Sequence, residues 1–290
     1  MAAIRKVFIT TVLALLLLGT QLRDAHAQAD MNIKYNGEFG LEFGSSNYFG
    51  DLNPNGRLNG QRFNVGLVYN YFINNYISVY AHVHYGQIGY ADSLNSNPYW
   101  KERNLSFQSE LWGFSTGFDF DFLKFLPGSE DYRWTPFLST GIGMLHFNPF
   151  TYLDGRKYYL EPLGTEGQGS PRYPNRQKYH LWTVELPVGF GIKYNINKSF
   201  NLAIQGSYHF TGTDYLDDVS TTYAGAAAFP GNNSLNPSVA YQLQDRSQLP
   251  AGTKMGIAGR QRGNTANKDQ FLYLDIRLTF LISNYRCPSY

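Results

Sequence analysis

Two alternating runs joined by a tight polar turn, spanning His180 to Phe210, constrain this chain more than any other stretch. In the first run Trp182, Val184, Leu186, Val188, Phe190 and Ile192 share one face, while Thr183, Glu185, Pro187, Gly189, Gly191 and Lys193 share the other. After the turn Asn195-Ile196-Asn197-Lys198-Ser199, Phe200, Leu202, Ile204, Gly206, Tyr208 and Phe210 oppose Asn201, Ala203, Gln205, Ser207 and His209. Successive side chains of a strand point to opposite faces, so each run is a two-sided strand and the pair a hairpin. Glu185 and Lys193 both lie on the face of small residues, and large aromatics sit toward the ends of the apolar face. A strand with lipid on one side and a polar lumen on the other looks like this. A soluble eight-stranded carrier would turn its apolar face inward and its charges out.

Composition agrees without deciding. Charged residues make up 16% and aromatics 17% of the 290 residues, with 29 Gly and 23 Tyr, which excludes a disordered or helix-rich chain. A net charge of +2 leaves no basic footprint for nucleic acid. Mean hydropathy is slightly negative. That does not argue against a membrane barrel, whose signal lies in alternation instead of continuous apolar runs.

At the amino terminus Arg5 and Lys6 precede the apolar run Val7 to Gly19, and Ala25-His26-Ala27 offers the small residues of a signal-peptidase site. Residues 1–27 therefore read as a signal peptide and 28–290 as the mature barrel, starting at Gln28. No stretch approaches the roughly 20 apolar residues of a spanning helix. Cys287 is the single cysteine, so it makes no internal disulfide; it is either a free thiol or bonded to a partner.

The remaining strands follow the same alternation. Ile33 to Gly44 places Phe39, Leu41 and Phe43 opposite Glu38, Gly40 and Glu42, and Ser45 to Gly60 reads as a loop. Phe63 to Tyr71 and Ile77 to Gly86 form a second hairpin around Asn74-Asn75. A strand from Leu105 to Phe122 has Trp112, Phe114, Phe118, Phe120 and Phe122 on one face. Leu105 and Phe107 fall on the opposite parity, which predicts a bulge near Leu111 or a position above the membrane. Thr135 to Phe147 and Phe271 to Ile282 complete an all-β, eight-stranded antiparallel transmembrane β-barrel with long extracellular loops. Its inward set holds Glu38, Glu42, Asp119, Asp121, Glu185, Lys193, Asp275 and Arg277. A barrel of eight strands is just wide enough for side chains to fill, so structural ion pairs are expected inside it, and no pore. Short connections after even-numbered strands and long ones after odd-numbered strands put both termini in the periplasm of a Gram-negative outer membrane.

Three clusters carry possible chemistry. Asp214, Asp217 and Asp218 offer oxygen ligands for calcium, although the spacing is not an EF-hand loop and a solvated or hydrogen-bonded loop fits better. His82 and His84 share the inward face of one strand, where buried polar packing outweighs metal binding. His209, Asp214 and Ser220 lie near the outer rim, but no nucleophile elbow or other catalytic spacing accompanies them. No catalytic, cofactor or metal site is assigned.

Motifs in the loops point further. His146-Phe147-Asn148-Pro149 is followed by Tyr158-Tyr159-Leu160-Glu161-Pro162-Leu163-Gly164-Thr165-Glu166-Gly167-Gln168-Gly169. Thr213 to Tyr223, Gln261-Arg262-Gly263-Asn264 and Tyr48-Phe49-Gly50-Asp51-Leu52-Asn53 complete the set, spread in order over the mature chain. Together they resemble the PorG family of outer-membrane barrels, a component of the type IX secretion system, with the Leu-Gly-Thr-Glu-Gly-Gln-Gly run the most specific piece. The resemblance implies a non-enzymatic secretion part, associated with a periplasmic ring of a PorK-like lipoprotein and a PorN-like protein, that supports protein export and, in some bacteria, gliding motility. On that reading Tyr285, Arg286, Cys287, Pro288 and Tyr290 form a periplasmic tail near a partner. A stand-alone OmpA-like barrel, serving as surface adhesin or envelope anchor, is the alternative.

Overall fold

The computed structural model describes residues 35–229, 231–232, 237–247 and 253–283. The signal peptide expected at 1–27 and the tail residues Tyr285, Arg286, Cys287, Pro288 and Tyr290 lie outside them.

The strands are β1 (Tyr35–Phe49), β2 (Arg62–Phe72), β3 (Ile77–Ala91), β4 (Ser106–Asp121), β5 (Trp134–Leu153), β6 (Arg156–Tyr159), β7 (Trp182–Asn195), β8 (Phe200–Thr211) and β9 (Gln270–Ser283). Two short helices, α1 (Pro98–Arg103) and α2 (Val239–Gln244), lie in the long connections. Each strand pairs antiparallel with its neighbour in sequence, except that β5 passes over the short β6 to pair with β7. β1 also pairs with β9, so eight strands form a closed barrel. β6 pairs with β5 alone and makes a hairpin arm through Asp154-Gly155, where both residues take positive φ, at 49° and 78°.

The two short turns share one device. Asn74 Oδ1 accepts the backbone N–H groups of Tyr76 and Ile77, each at 2.8 Å. Asn197 Oδ1 accepts those of Ser199 at 2.8 Å and Phe200 at 3.0 Å. An asparagine side chain that mimics a backbone turn closes each hairpin and sets its register.

Along the middle of every barrel strand the large apolar side chains face outward. Phe39, Leu41, Leu67, Val83, Phe114, Phe118, Ile142, Phe190, Ile204 and Ile276 are each at least 40% exposed, whereas Glu38, Glu42, Asp119, Asp121, Glu185, Lys193, Asp275 and Arg277 are at most 5% exposed. Nearer the loop end the polarity reverses. Ile88, Phe107, Leu111, Leu145, Phe147, Phe271 and Tyr273 point inward and pack with Tyr48, Leu52, Leu216 and Val219, while Ser106, Gln108 and Glu110 face out. The β3–β4 and β4–β5 registers run unbroken through Leu111, so the bulge expected there is absent. Phe107 changes parity because the strand passes from an apolar exterior to a folded loop cap whose apolar core is inside.

Two further expectations change. β1 continues to Phe49, through residues read as loop, because Ser45 to Phe49 keep pairing with Leu274 to Gln270. β5 runs past Phe147 to Leu153, held by β4 as far as Phe150 and then by β6.

Candidate functional site

The lumen is filled, and interior glycines make the room. A Cβ at Gly113 would sit 2.2 Å from the His84 ring, one at Gly66 2.4 Å from His82 Nε2, and one at Gly86 2.5 Å from the Tyr273 hydroxyl. These inward-facing glycines are slots for large polar side chains, from the neighbouring strand for His84 and His82 and from across the lumen for Tyr273. Glu38 accepts from Asn70 at 2.9 Å and from Asn201 and Thr279 at 2.6 Å each, with Lys193 Nζ at 3.8 Å. Lys193 also lies 3.5 Å from Asp121. Above this layer Arg277 donates to Glu42, to Gln205 at 2.7 Å and to Asp119 at 3.4 Å, while His82 Nε2 stands 2.9 Å from Glu42. Glu38, Glu42, Asp119, Asp121, Lys193 and Arg277 thus form ion pairs, as the sequence suggested, whereas Asp275 accepts from the Asn64 amide at 2.6 Å. Carboxylates at several heights each hold a cation or amide, which is what burying charge requires.

At the top of the polar layer Glu185 lies 3.1 Å from His209 Nδ1 and 3.8 Å from His84 Nε2, and Ser207 Oγ lies 3.1 Å from His209 Nε2. Serine, histidine and glutamate therefore stand in a line resembling a nucleophile, base and orienting acid. All three are buried, and His209 is stacked 4.4 Å beneath Phe271. Their geometry seats a histidine within a packed lumen. The rim combination of His209, Asp214 and Ser220 is not assembled, since the ring nitrogens of His209 face Glu185 and Ser207 instead, each at 3.1 Å. His82 and His84 do share the inward face, with ring centres 5.2 Å apart, but each faces its own glutamate.

The loops fold into a cap, and the loop motifs build it. Glu166 accepts from the N–H of Ser220 at 2.9 Å and of Thr221 at 2.9 and 3.1 Å, from the Thr221 hydroxyl at 2.5 Å, and from Arg262 at 3.1 Å. Arg262 donates as well to the carbonyls of Gln244 at 3.2 Å and Asp218 at 2.5 Å. A second buried arginine, Arg103, holds Asp92 through two contacts of 2.7 Å and reaches the carbonyls of Arg262 at 3.1 Å and Asp51 at 3.3 Å. Bidentate arginine–carboxylate pairs fix direction as well as energy, so they lock connections distant in sequence into one body. No motif in the sequence marked Arg103 and Asp92.

The three aspartates are buried, so the loop is not solvated, and Asp217 and Asp218 are hydrogen-bonded to separate partners. Asp218 accepts from Thr165 and from Tyr179 at 2.8 Å, with Arg262 at 3.7 Å. Asp217 accepts from Tyr48 at 2.6 Å and from the Val219 N–H at 2.8 Å. The Tyr48 hydroxyl also lies 2.9 Å from Asp269. One hydroxyl proton serves two carboxylates there. Burial, reinforced by the neighbouring carboxylates, pushes Asp217 and Asp269 well above the ordinary carboxylate range. Burial likewise raises Asp214 to about 7 and Asp218 to about 6, the latter despite Arg262. Among the described residues no group of three His, Cys, Asp or Glu side chains is arranged to hold a metal ion.

The model of a domain of unknown function, DUF6089, matches residues 10–230. No curated protein sequence matches the chain. Among solved structures, Neisserial surface protein A is 10% identical with a TM-score of 0.39, covering 84% of this chain and 96% of that one. Ail of Yersinia pestis, in complex with the heparin analogue sucrose octasulfate, is 11% identical with a TM-score of 0.37, covering 85% and 99%. The N-terminal barrel domain of Pseudomonas aeruginosa OprF is 10% identical with a TM-score of 0.34, covering 85% and 98%.

Proposed function

The chain belongs to the DUF6089 family, and we propose that it is a non-enzymatic outer-membrane barrel acting as a structural part of the type IX secretion system. The membrane half of this reading rests on the outward belt. Every barrel strand presents apolar side chains there, and a basic charge at mid-bilayer would cost about 2 to 4 kcal/mol. Lipid is the solvent that such a surface requires.

One observation carries the secretion half. The motifs resembling the PorG family converge in space: Tyr48, Asp51, Glu166, Asp217, Asp218 and Arg262 all belong to the interlocked cap. The motifs that carry the resemblance thus form one folded unit in this chain, which supports reading them together. With the cap outside the cell, the termini and the two asparagine turns face the periplasm, where residues 1–27 have been removed as signal peptide. A PorK-like lipoprotein and its PorN-like partner then meet the barrel at that end, through the tail residues Tyr285, Arg286, Cys287, Pro288 and Tyr290.

Affinity purification of the tagged protein from detergent-solubilised outer membranes, with mass spectrometry of co-eluting proteins, tests the role. Recovery of a ring lipoprotein and its soluble partner, lost on deleting the tail, is the expected result. Recovery of the barrel alone in several mild detergents overturns it and leaves the stand-alone adhesin or anchor.

A further inference from the structure

A groove of about 350 Å³ opens at the outer rim, where the starts of β2 and β4 meet the end of β3 and the upper part of β5. Two arginines far apart in sequence, Arg62 and Arg246, line it, and no aspartate or glutamate does. The grooves beside Gly50 and beside Lys198 contain Asp51 and Glu130 respectively, so an all-cationic lining is not general to this surface.

Arg246 is held in place. Its Nη1 donates to Ser106 Oγ at 2.8 Å and to Thr151 Oγ1 at 3.3 Å, and those hydroxyls lie 3.3 Å from each other. Among the described residues no carboxylate stands within ion-pair distance of either guanidinium. Burial pushes Arg246 below its ordinary value, with only the field of Asp154 opposing. A positioned cation without a counter-ion is half of a charge-assisted contact. Gln61 and Gln108 add amides to the same lining, and Tyr152, 47% exposed, adds an aromatic face.

We propose that this groove binds an acidic saccharide, whose carboxylate or sulfate groups pair with Arg62 and Arg246 and whose hydroxyls and ring meet Gln61, Gln108 and Tyr152. Guanidiniums, with Arg246 held in place, suit planar or tetrahedral oxyanions. Side-chain amides and an exposed tyrosine suit a hydroxylated ring. Tyr90 and Phe107 in the lining are themselves buried, which leaves Leu94 and Tyr152 as its exposed large apolar side chains among a mainly polar wall. With the cap outside the cell, the ligand is a surface or environmental glycan.

Titration calorimetry on the full-length protein in a non-sugar detergent tests this with tetragalacturonate, sulfated maltotetraose and uncharged maltotetraose. The expected result is binding of one or both acidic oligosaccharides that weakens with added salt, with the preferred one telling carboxylate from sulfate, and no binding of maltotetraose. Arg62→Glu, at an exposed position, and Arg246→Gln each weaken binding about tenfold or more, the loss of one charge-assisted contact. Arg246→Lys retains part of it. Equal binding of maltotetraose, unchanged affinity in Arg62→Glu, or no binding of either acidic oligosaccharide overturns the proposal. None of these outcomes bears on recovery of ring proteins, which is read at the opposite end of the barrel.

Discussion

Arg262 Nη1 stands 3.1 Å from Glu166 Oε1, and that same oxygen accepts the backbone N–H groups of Ser220 at 2.9 Å and Thr221 at 3.1 Å. One buried carboxylate thus ties the connection after β6, the connection after β8 and the segment before β9. Removing it leaves two amides without their acceptor and takes from the Arg262 guanidinium its nearest carboxylate, with Asp218 at 3.7 Å remaining. Glu166→Ala is expected to destabilise the cap by about 3 to 5 kcal/mol, the usual cost of breaking a buried pair from one side. Limited proteolysis should then cut within residues 211–269, while the barrel keeps its heat-modifiable mobility on gels. Resistance equal to wild type would mean that Glu166 does not hold the cap.

The cap's stability should fall as pH rises. Asp214, at about 7, and Asp218, at about 6, sit above the ordinary aspartate value of 3.8, so the folded cap binds protons that the unfolded loops release. Stability is then fullest below pH 4 and declines as pH climbs through 6 to 7. Hydrogen exchange in residues 211–223, followed between pH 4.5 and 8, should speed up with pH beyond the intrinsic chemical trend. Asp214→Asn should flatten that extra slope.

Interior glycines should tolerate no methyl. Gly113→Ala drives a Cβ to 2.2 Å from the His84 ring, whereas at Gly206, on the outward side, the nearest atom is the flexible Leu274 tip at 3.3 Å. Overpacking typically costs about 1 to 3 kcal/mol, so Gly113→Ala should lower the unfolding midpoint in urea-containing lipid vesicles. Gly206→Ala should leave it nearly unchanged.

These glycines illustrate what was legible in the sequence. Period-two alternation located eight strands, their facing and the inward charges, because a barrel wall forces each side chain to one of two environments. The partners across the lumen were not legible. Pairing of Lys193 with Glu38, or of Arg277 with Asp119, depends on barrel closure, and no local pattern encodes it. The parity change at Phe107 was visible, but periodicity does not distinguish an inserted residue from an exchange of environments. Only the unbroken register decides. Arg62 and Arg246 carry no sequence signal at all, since rim contacts bring them together.

A charge placed in the belt should separate it from the cap. Phe118, 56% exposed at mid-strand, and Gln108, nearer the loops, lie on the same outward face of β4 in different surroundings. Phe118→Arg should cost about 2 to 4 kcal/mol in reconstituted protein and Gln108→Arg close to nothing.

The most direct measurement is spin-label accessibility in the vesicle-reconstituted protein, with single labels at Leu41, Phe118, Phe190 and Ile276 in the belt and at Gln108 and Glu110 toward the cap. High collision rates with oxygen and low rates with a water-soluble nickel chelate at the four belt sites, reversing at Gln108 and Glu110, are the predicted result. Equal access of the nickel chelate to all six sites would contradict a barrel that crosses lipid beneath a folded external cap.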